Sequence, residues 1–279
     1  MRGGAGDHAV SPSSGAVTNA LRLALGTLTV IPTPPPSQVD RRTGSWAMTL
    51  APLVGAALAV LVGLFLGLVG RAGAGVGPAT AAVLAIGLLA VLTRAMHLDG
   101  LADTADGLGS GKPADQALEI MRRGDVGPFG VVTLVLVLLV QVFALAELVA
   151  AGLGFPALLL ALVVSRLALP LLCSRGVPAA RPDGLGQVVA GSVSRGRLAI
   201  AVLVSAGALM PLSLVSPGWD ALGSGVVVRA GVVAGLALLA AWLLGRRAVR
   251  RLGGVTGDVL GAGVEVAFTV ALVTLTLLT

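Results

Sequence analysis

The 279-residue sequence has no tyrosine, one cysteine, one lysine and little charge of either sign, with Asp, Glu, Lys and Arg together making up 11%. Soluble domains carry roughly 25% charged residues, so this scarcity excludes an ordinary soluble domain. The single cysteine, Cys173, excludes an internal disulfide and a cysteine-based metal cluster; its apolar surroundings read as packing. Aromatics amount to 3%, which leaves a thin interfacial belt and little to steady a carbocation. The opening MRGGAGDHAVSPSSGAVTNA lacks the apolar run of a cleavable signal. Residues 1–15, with His8, read as a disordered tail, and 16–279 as a single transmembrane domain.

What is abundant is apolar. Hydrophobic residues form 56% of the chain, and a membrane span needs about 20 of them in a row. Seven stretches qualify: 48–69, 78–96, 130–151, 155–173, 198–217, 226–245 and 259–278. The fold expected is therefore all-α, a polytopic transmembrane helix bundle of about seven spans, with six to eight as the range. A shorter apolar stretch at 16–31 ends in PTPPP and reads as a surface or re-entrant helix, an eighth span being the alternative.

Threading seven spans puts the N-terminal region and the loops near 97–129, 174–197 and 246–258 on one side. Fifteen basic residues fall there, against Arg71 and Arg229 on the other. By the positive-inside rule the basic side is cytoplasmic. Most acids outside the spans share that side. A transporter places its polar groups near the midplane, so one-sided chemistry favours an enzyme served from the cytoplasm.

The segment HLDGLADTADGL holds Asp99, Asp103 and Asp106. On a helix the three fall within a sector of about 60°. Unpaired carboxylates so placed repel one another and favour protonation. A hard divalent cation removes the difficulty, since Mg²⁺ is commonly shared between one or two carboxylates and substrate phosphates; Mn²⁺ is the alternative. A solvated helix end with arginine partners is the bland alternative, which the adjoining span and the flanking Gly100 and Gly107 disfavour. His97 is a candidate metal ligand, phosphate donor or general base, or a plain structural residue.

LEIMRRGDVGPFG supplies Arg122, Arg123 and Asp125 before a tight Gly/Pro turn. The arginines suit phosphate oxygens. The loop with Arg175 and Pro182-Asp183-Gly184 is a further candidate for recognising an anion. Asp258 and Glu265 stand seven residues apart, on one helix face, with Glu265 inside the last span. An acid at that depth is a candidate functional residue.

HLDGLADTADGL, LEIMRRGDVGPFG, SRLALPLLCSRG, PDGLGQVVAG and LGGVTGDVLGAGVEV resemble, in order and spacing, the motifs of cobalamin synthase, also called adenosylcobinamide-GDP ribazoletransferase. The early TVIPTPPP and WAMTLAPLVGAALA are similar to that family's N-terminal pattern, and the match covers about residues 20–270. The resemblance implies a multi-pass, Mg²⁺-dependent enzyme of the bacterial cytoplasmic membrane, acting at the end of vitamin B12 assembly. It would join adenosylcobinamide-GDP to α-ribazole or α-ribazole 5′-phosphate, giving adenosylcobalamin or its 5′-phosphate and GMP. Asp99, Asp103 and Asp106 would hold the metal, while His97, Asp103, Asp258 and Glu265 occupy candidate catalytic positions. Arg122, Arg123, Asp125, Arg175 and Asp183 would bind substrate. The nucleophile is read as the ribazole 5′-hydroxyl or 5′-phosphate.

One departure stands out. Many members read M-R-D-S-R-x-G where this chain has Met121-Arg122-Arg123-Gly124-Asp125-Val126-Gly127. Either Arg123 and Asp125 preserve an ion pair in reverse, or Asp125 takes no family role. Membrane lipid is an expected partner, together with a second copy or other late cobalamin-assembly enzymes; nucleic acid is not. A CDP-alcohol phosphotransferase is the nearest rival, but its signature has a longer interval and an arginine between the acids. An aspartate-rich prenyltransferase and a transporter are weaker alternatives.

Overall fold

In lipid every backbone N–H and C=O has to be satisfied inside its own segment, and a helix does this locally. The computed structural model describes residues 14–72, 75–210 and 225–279, and every regular element there is a helix. In chain order these are α1 (Ser14–Leu28), α2 (Arg41–Ala72), α3 (Pro78–Leu92), α4 (Met96–Gly109), α5 (Ala114–Ile120), α6 (Pro128–Ala150), α7 (Gly154–Leu172), α8 (Gly184–Val189), α9 (Arg195–Leu209), α10 (Val226–Leu252) and α11 (Gly257–Leu278).

Five of them, α2, α6, α7, α10 and α11, are each long and apolar enough to cross a membrane. α3 and α4 pass the same test only together, bent by 89° at their junction, so α4 runs across the end of the bundle. The predicted stretch at 198–217 begins as α9 and continues into residues outside those described, as does most of the N-terminal tail. α1 has 15 residues, about 22 Å of helix, too short to cross. It packs Ala20, Leu23, Ala24 and Leu28 inward.

α7 is buried along nearly its whole length and α11 along most of it, so these two form the axis. α2 crosses α7 closely because Gly55 has no Cβ; one there would collide with the backbone oxygen of Leu162. Close backbone approach at small residues is how helices pack in lipid, where burial of apolar surface gives no drive. α6 and α10 turn apolar side chains outward, among them Val132, Leu136, Phe143, Val228 and Leu243. Such continuous exposed apolar faces suit lipid contact.

The α3–α4 corner uses no glycine or proline. Arg94 and Ala95 both adopt left-handed backbone, φ 55° and 52°, a conformation that costs roughly 1–2 kcal/mol for an L-residue. Two long-range contacts hold it. Arg94 Nη2 donates to Gly26 O at 2.8 Å, and Val30 N–H donates to Leu92 O at 2.8 Å.

Candidate active site

The site forms where α4 lies across the N-terminal end of α11. A Cβ on Gly100 would stand 2.7 Å from Asp258 O and 2.9 Å from its Cα, so only glycine allows this approach. One turn further along α11, a Cβ on Gly261 would reach 3.3 Å from His97 Cα. The crossing thus sets Asp99 and Asp103 of α4 beside Asp258 of α11. Asp99 is exposed, Asp103 and Asp258 are half-buried, and each acid lies within electrostatic range of the other two. Burial first, then the charges of Asp99, Asp258 and Asp106, push the Asp103 carboxyl up to about 6.

A cation is brought to the acids by the loop after α7. Ala179 pairs with Val255 in a short parallel bridge, with Ala180 N–H donating to Val255 O at 3.0 Å and Val255 N–H to Pro178 O at 2.9 Å. This tie carries Arg181 to Asp258, with Nη1 3.7 Å from Oδ2. The same guanidinium donates through Nη2 to Leu118 O at 2.6 Å. Thr256 caps α11, accepting from Val259 N–H and donating to Asp258 Oδ2 at 3.1 Å.

Beneath this rim is a cavity of about 300 Å³. Asp99, Arg181, Asp183, Thr256 and Asp258 line it together with the apolar side chains of Leu28, Met48, Met96, Leu169 and Leu260. His97 is also among its lining residues. Its ring is 2% exposed, and neither nitrogen has a hydrogen-bond partner. Burial, then the nearby Arg166 charge, lower the imidazole to about 3, so it is neutral.

The expected triad of metal-binding acids is rearranged. Asp106 is buried, and both its oxygens are engaged: Oδ2 accepts from Gly127 N–H at 2.8 Å and Oδ1 from Gly130 N–H at 2.9 Å. Those are orphan donors at the start of α6, so Asp106 pins α6 to α4. The acid converging with Asp99 and Asp103 is instead Asp258. Among the described residues no three His, Cys, Asp or Glu side chains form a ready metal cage. A cation shared with a diphosphate does not need one, because Mg²⁺ keeps several non-protein oxygens. Asp99, Asp103 and Asp258 fit that open arrangement.

Glu265 lies outside the cavity lining. It is buried in the bundle, where its Oε2 accepts from Gln141 Nε2 at 2.9 Å; Gln141 also donates to Thr269 Oγ1 at 2.9 Å. Arg166 of α7, 1% exposed, is within electrostatic range of both Glu265 and His97 and donates to Ser165 Oγ at 2.9 Å. Glu265 therefore belongs to a polar layer behind His97.

The basic candidates also separate. Arg122 pairs with Asp183 at 3.3 Å on the exposed rim. Arg123 and Asp125 form no ion pair with each other, and the reversed pairing is not made. Both line a second hollow of about 310 Å³ with Lys112 and Asp106. Arg175 is exposed and lines neither hollow.

A sequence profile for the family described as cobalamin-5-phosphate synthase matches residues 20–276. The chain belongs to that family. Among cobalamin-5-phosphate synthase relatives, an adenosylcobinamide-GDP ribazoletransferase of Nocardioides sp. is 44% identical over 255 residues, 91% of this chain and 96% of the relative. The enzyme of the same name from Frankia casuarinae is 40% identical, covering 88% and 90%. That from Corynebacterium efficiens is 35% identical, covering 96% and 93%. No solved structure matches the chain.

Sequence reasoning missed two residues of this family member's site. Arg166 carried a readable signal, a charge midway along an apolar span. Arg181 carried none, because nothing local distinguishes it from Arg175 or Arg195. Only the pairing of the 178–180 segment with Val255 selects it.

Proposed function

We propose that this chain transfers the adenosylcobinamide phosphate group of adenosylcobinamide-GDP to α-ribazole or α-ribazole 5′-phosphate, releasing GMP, at the cytoplasmic face of the cell membrane. The observation that carries the reading is the convergence of Asp99, Asp103 and Asp258 with Arg181 over a cavity at one end of a membrane bundle. Clustered carboxylates with a nearby guanidinium suit a metal-bound diphosphate. The names carried by the relatives support the substrate assignment.

The bond that breaks joins the corrinoid-bearing phosphorus to the oxygen bridging it to the GMP phosphorus. A ribose hydroxyl oxygen bonds to the first phosphorus. GMP then leaves with the bridging oxygen and its electron pair, and the hydroxyl proton passes to a carboxylate of the cluster. When the phosphorylated nucleoside is used, its 5′-phosphate persists into the product. The attacking group is therefore a secondary ribose hydroxyl, which corrects the 5′ assignment drawn from the motifs. Mg²⁺, or Mn²⁺ in its place, would be held by Asp99, Asp103 and Asp258 and would offset charge on the diphosphate. Arg181 is placed to donate to a non-bridging oxygen, and Asp106 acts by holding α6.

The positive-inside rule supports the cytoplasmic orientation, since basic loops lie at the same end as the acids: Arg251 Nη2 donates to Lys112 O at 3.3 Å and Arg41 Nη2 to Ala190 O at 2.7 Å. A CDP-alcohol phosphotransferase or a transporter is not favoured. Membranes carrying the protein, given adenosylcobinamide-GDP, α-ribazole 5′-phosphate and Mg²⁺, are expected to form the corrinoid nucleotide and one GMP per product. Correctly folded protein that forms neither would refute the reading.

A further inference from the structure

We infer that the crevice between the C-terminal ends of α7 and α10 seats an anionic phospholipid of the leaflet at that end, its phosphate held by Arg246 and Arg250. The inference does not depend on the transfer reaction.

The crevice has a volume of about 310 Å³, at the lower end for ligand pockets and enough for part of one lipid. α10 and α7 touch at its wall: a Cβ on Gly245 would collide with the Leu172 side chain. Leu171, Leu172, Val177 and Val249 make it apolar, and Trp242, Arg246 and Arg250 complete the α10 side. On a helix, positions three and four apart share one face, so 242, 246, 249 and 250 form a single stripe. Leu239, Trp242 and Leu243 are exposed and continue an apolar surface along α10, where an acyl chain can lie.

Charge decides the occupant. The two hollows described above both have acids in their linings; this one has two arginines and, among the described residues, no acid. The ion pairs among the described residues are Arg122–Asp183 and Arg181–Asp258, so neither Arg246 nor Arg250 meets a carboxylate there. Arg246 instead lies over Trp242, its guanidinium carbon 4.9 Å from the ring centroid, within cation–π range. That contact keeps the charge at the edge of the span. Basic pockets between transmembrane helices bind anionic headgroups, and tryptophan favours the headgroup level. Arginines at a span end also act as plain anchors and offset the C-terminal helix dipole. Arg247 and Arg251 fit those roles, since neither lines the crevice.

The test uses the full-length protein in lipid nanodiscs. The chain's tryptophans are Trp46, Trp219 and Trp242, so Trp46→Phe with Trp219→Phe gives a parent in which Trp242 alone fluoresces. Phosphatidylglycerol or phosphatidylcholine with brominated acyl chains, which quench tryptophan on contact, replaces unlabelled phosphatidylcholine in steps. Half-maximal quenching should need about tenfold less of the phosphatidylglycerol, the scale for two basic residues near an anionic headgroup. Arg246→Gln with Arg250→Gln should bring the two lipids together. Arg247→Gln with Arg251→Gln, the same loss of charge on the same helix, should keep the preference. Equal quenching by the two lipids in the parent would overturn the inference, as would a preference that survives Arg246→Gln with Arg250→Gln. Loss of preference in both double variants would show a diffuse surface charge and no seat for a lipid. Displacement of the brominated phosphatidylglycerol by inorganic phosphate would give the arginines to a soluble anion and refute the lipid.

Discussion

Asp103 and Asp106 look alike in the motif, three residues apart on one helix, yet their surroundings give them different tasks. Asp106 satisfies Gly127 and Gly130 N–H groups. Asp106→Ala should therefore destabilise the protein by about 1–3 kcal/mol for each orphaned donor, seen as a lower denaturation midpoint. Asp103→Asn should keep or raise that midpoint, because it removes a crowded charge, while abolishing GMP release; retained turnover would remove Asp103 from the site. The Asp103 shift also fixes a pH trend. Its folded pKa of about 6 lies above the ordinary 3.8, so its ionised form is disfavoured by folding. In EDTA, thermal stability should rise as pH falls from 7 through about 6, and saturating Mg²⁺ should flatten the rise. A melting temperature that drops over that window in EDTA would contradict the crowded-acid description. Helical spacing made the shared face of the acids legible. It could not show that the start of α6 would claim Asp106, because that depends on a helix junction 21 residues away.

At the level of elements, the site depends on how α4 crosses α11. A methyl at residue 100 would press on the Asp258 backbone, 2.7 Å from its oxygen. Gly100→Ala should cost about 1–3 kcal/mol as overpacking and reduce turnover by more than the fraction of protein lost to unfolding. Turnover that falls only in step with folded protein would show that the crossing does not set the acid geometry. At the start of α2, Asp40 Oδ1 accepts from Thr43 N–H at 2.7 Å. Asp40→Ala should cost about 1 kcal/mol as a lost N-cap, with no effect on Mg²⁺ dependence. Hydropathy and length made most spanning helices readable, since lipid leaves the backbone no other choice. The turn after α3 was not readable: residues 93–96 read TRAM, which carries no glycine or proline. Contacts from Gly26 and Val30, far away in sequence, stabilise that corner.

At the scale of the whole molecule, most acids and arginines among the described residues gather, with the loops that carry them, at one end of a bundle whose sides are apolar. That asymmetry predicts which residues face the cytoplasm. Cys173 is buried, so single cysteines introduced elsewhere can be read cleanly. Lys112→Cys should react with a membrane-impermeant thiol reagent only in inverted vesicles, and Ala151→Cys, beyond the far end of α6, only in right-side-out ones. The reverse pattern would place the active site outside. The central proposal is that acids from α4 and α11 would together hold a divalent metal that offsets charge on the diphosphate. Its most direct test is the Mg²⁺ dependence of GMP release by purified wild-type protein and by Asp258→Asn. No release should occur in EDTA. The variant should need about tenfold or more Mg²⁺ for half-maximal rate, as for a damaged metal site, and recover part of its activity at high Mg²⁺. Release of GMP in EDTA, or an unchanged Mg²⁺ requirement in Asp258→Asn, would contradict it.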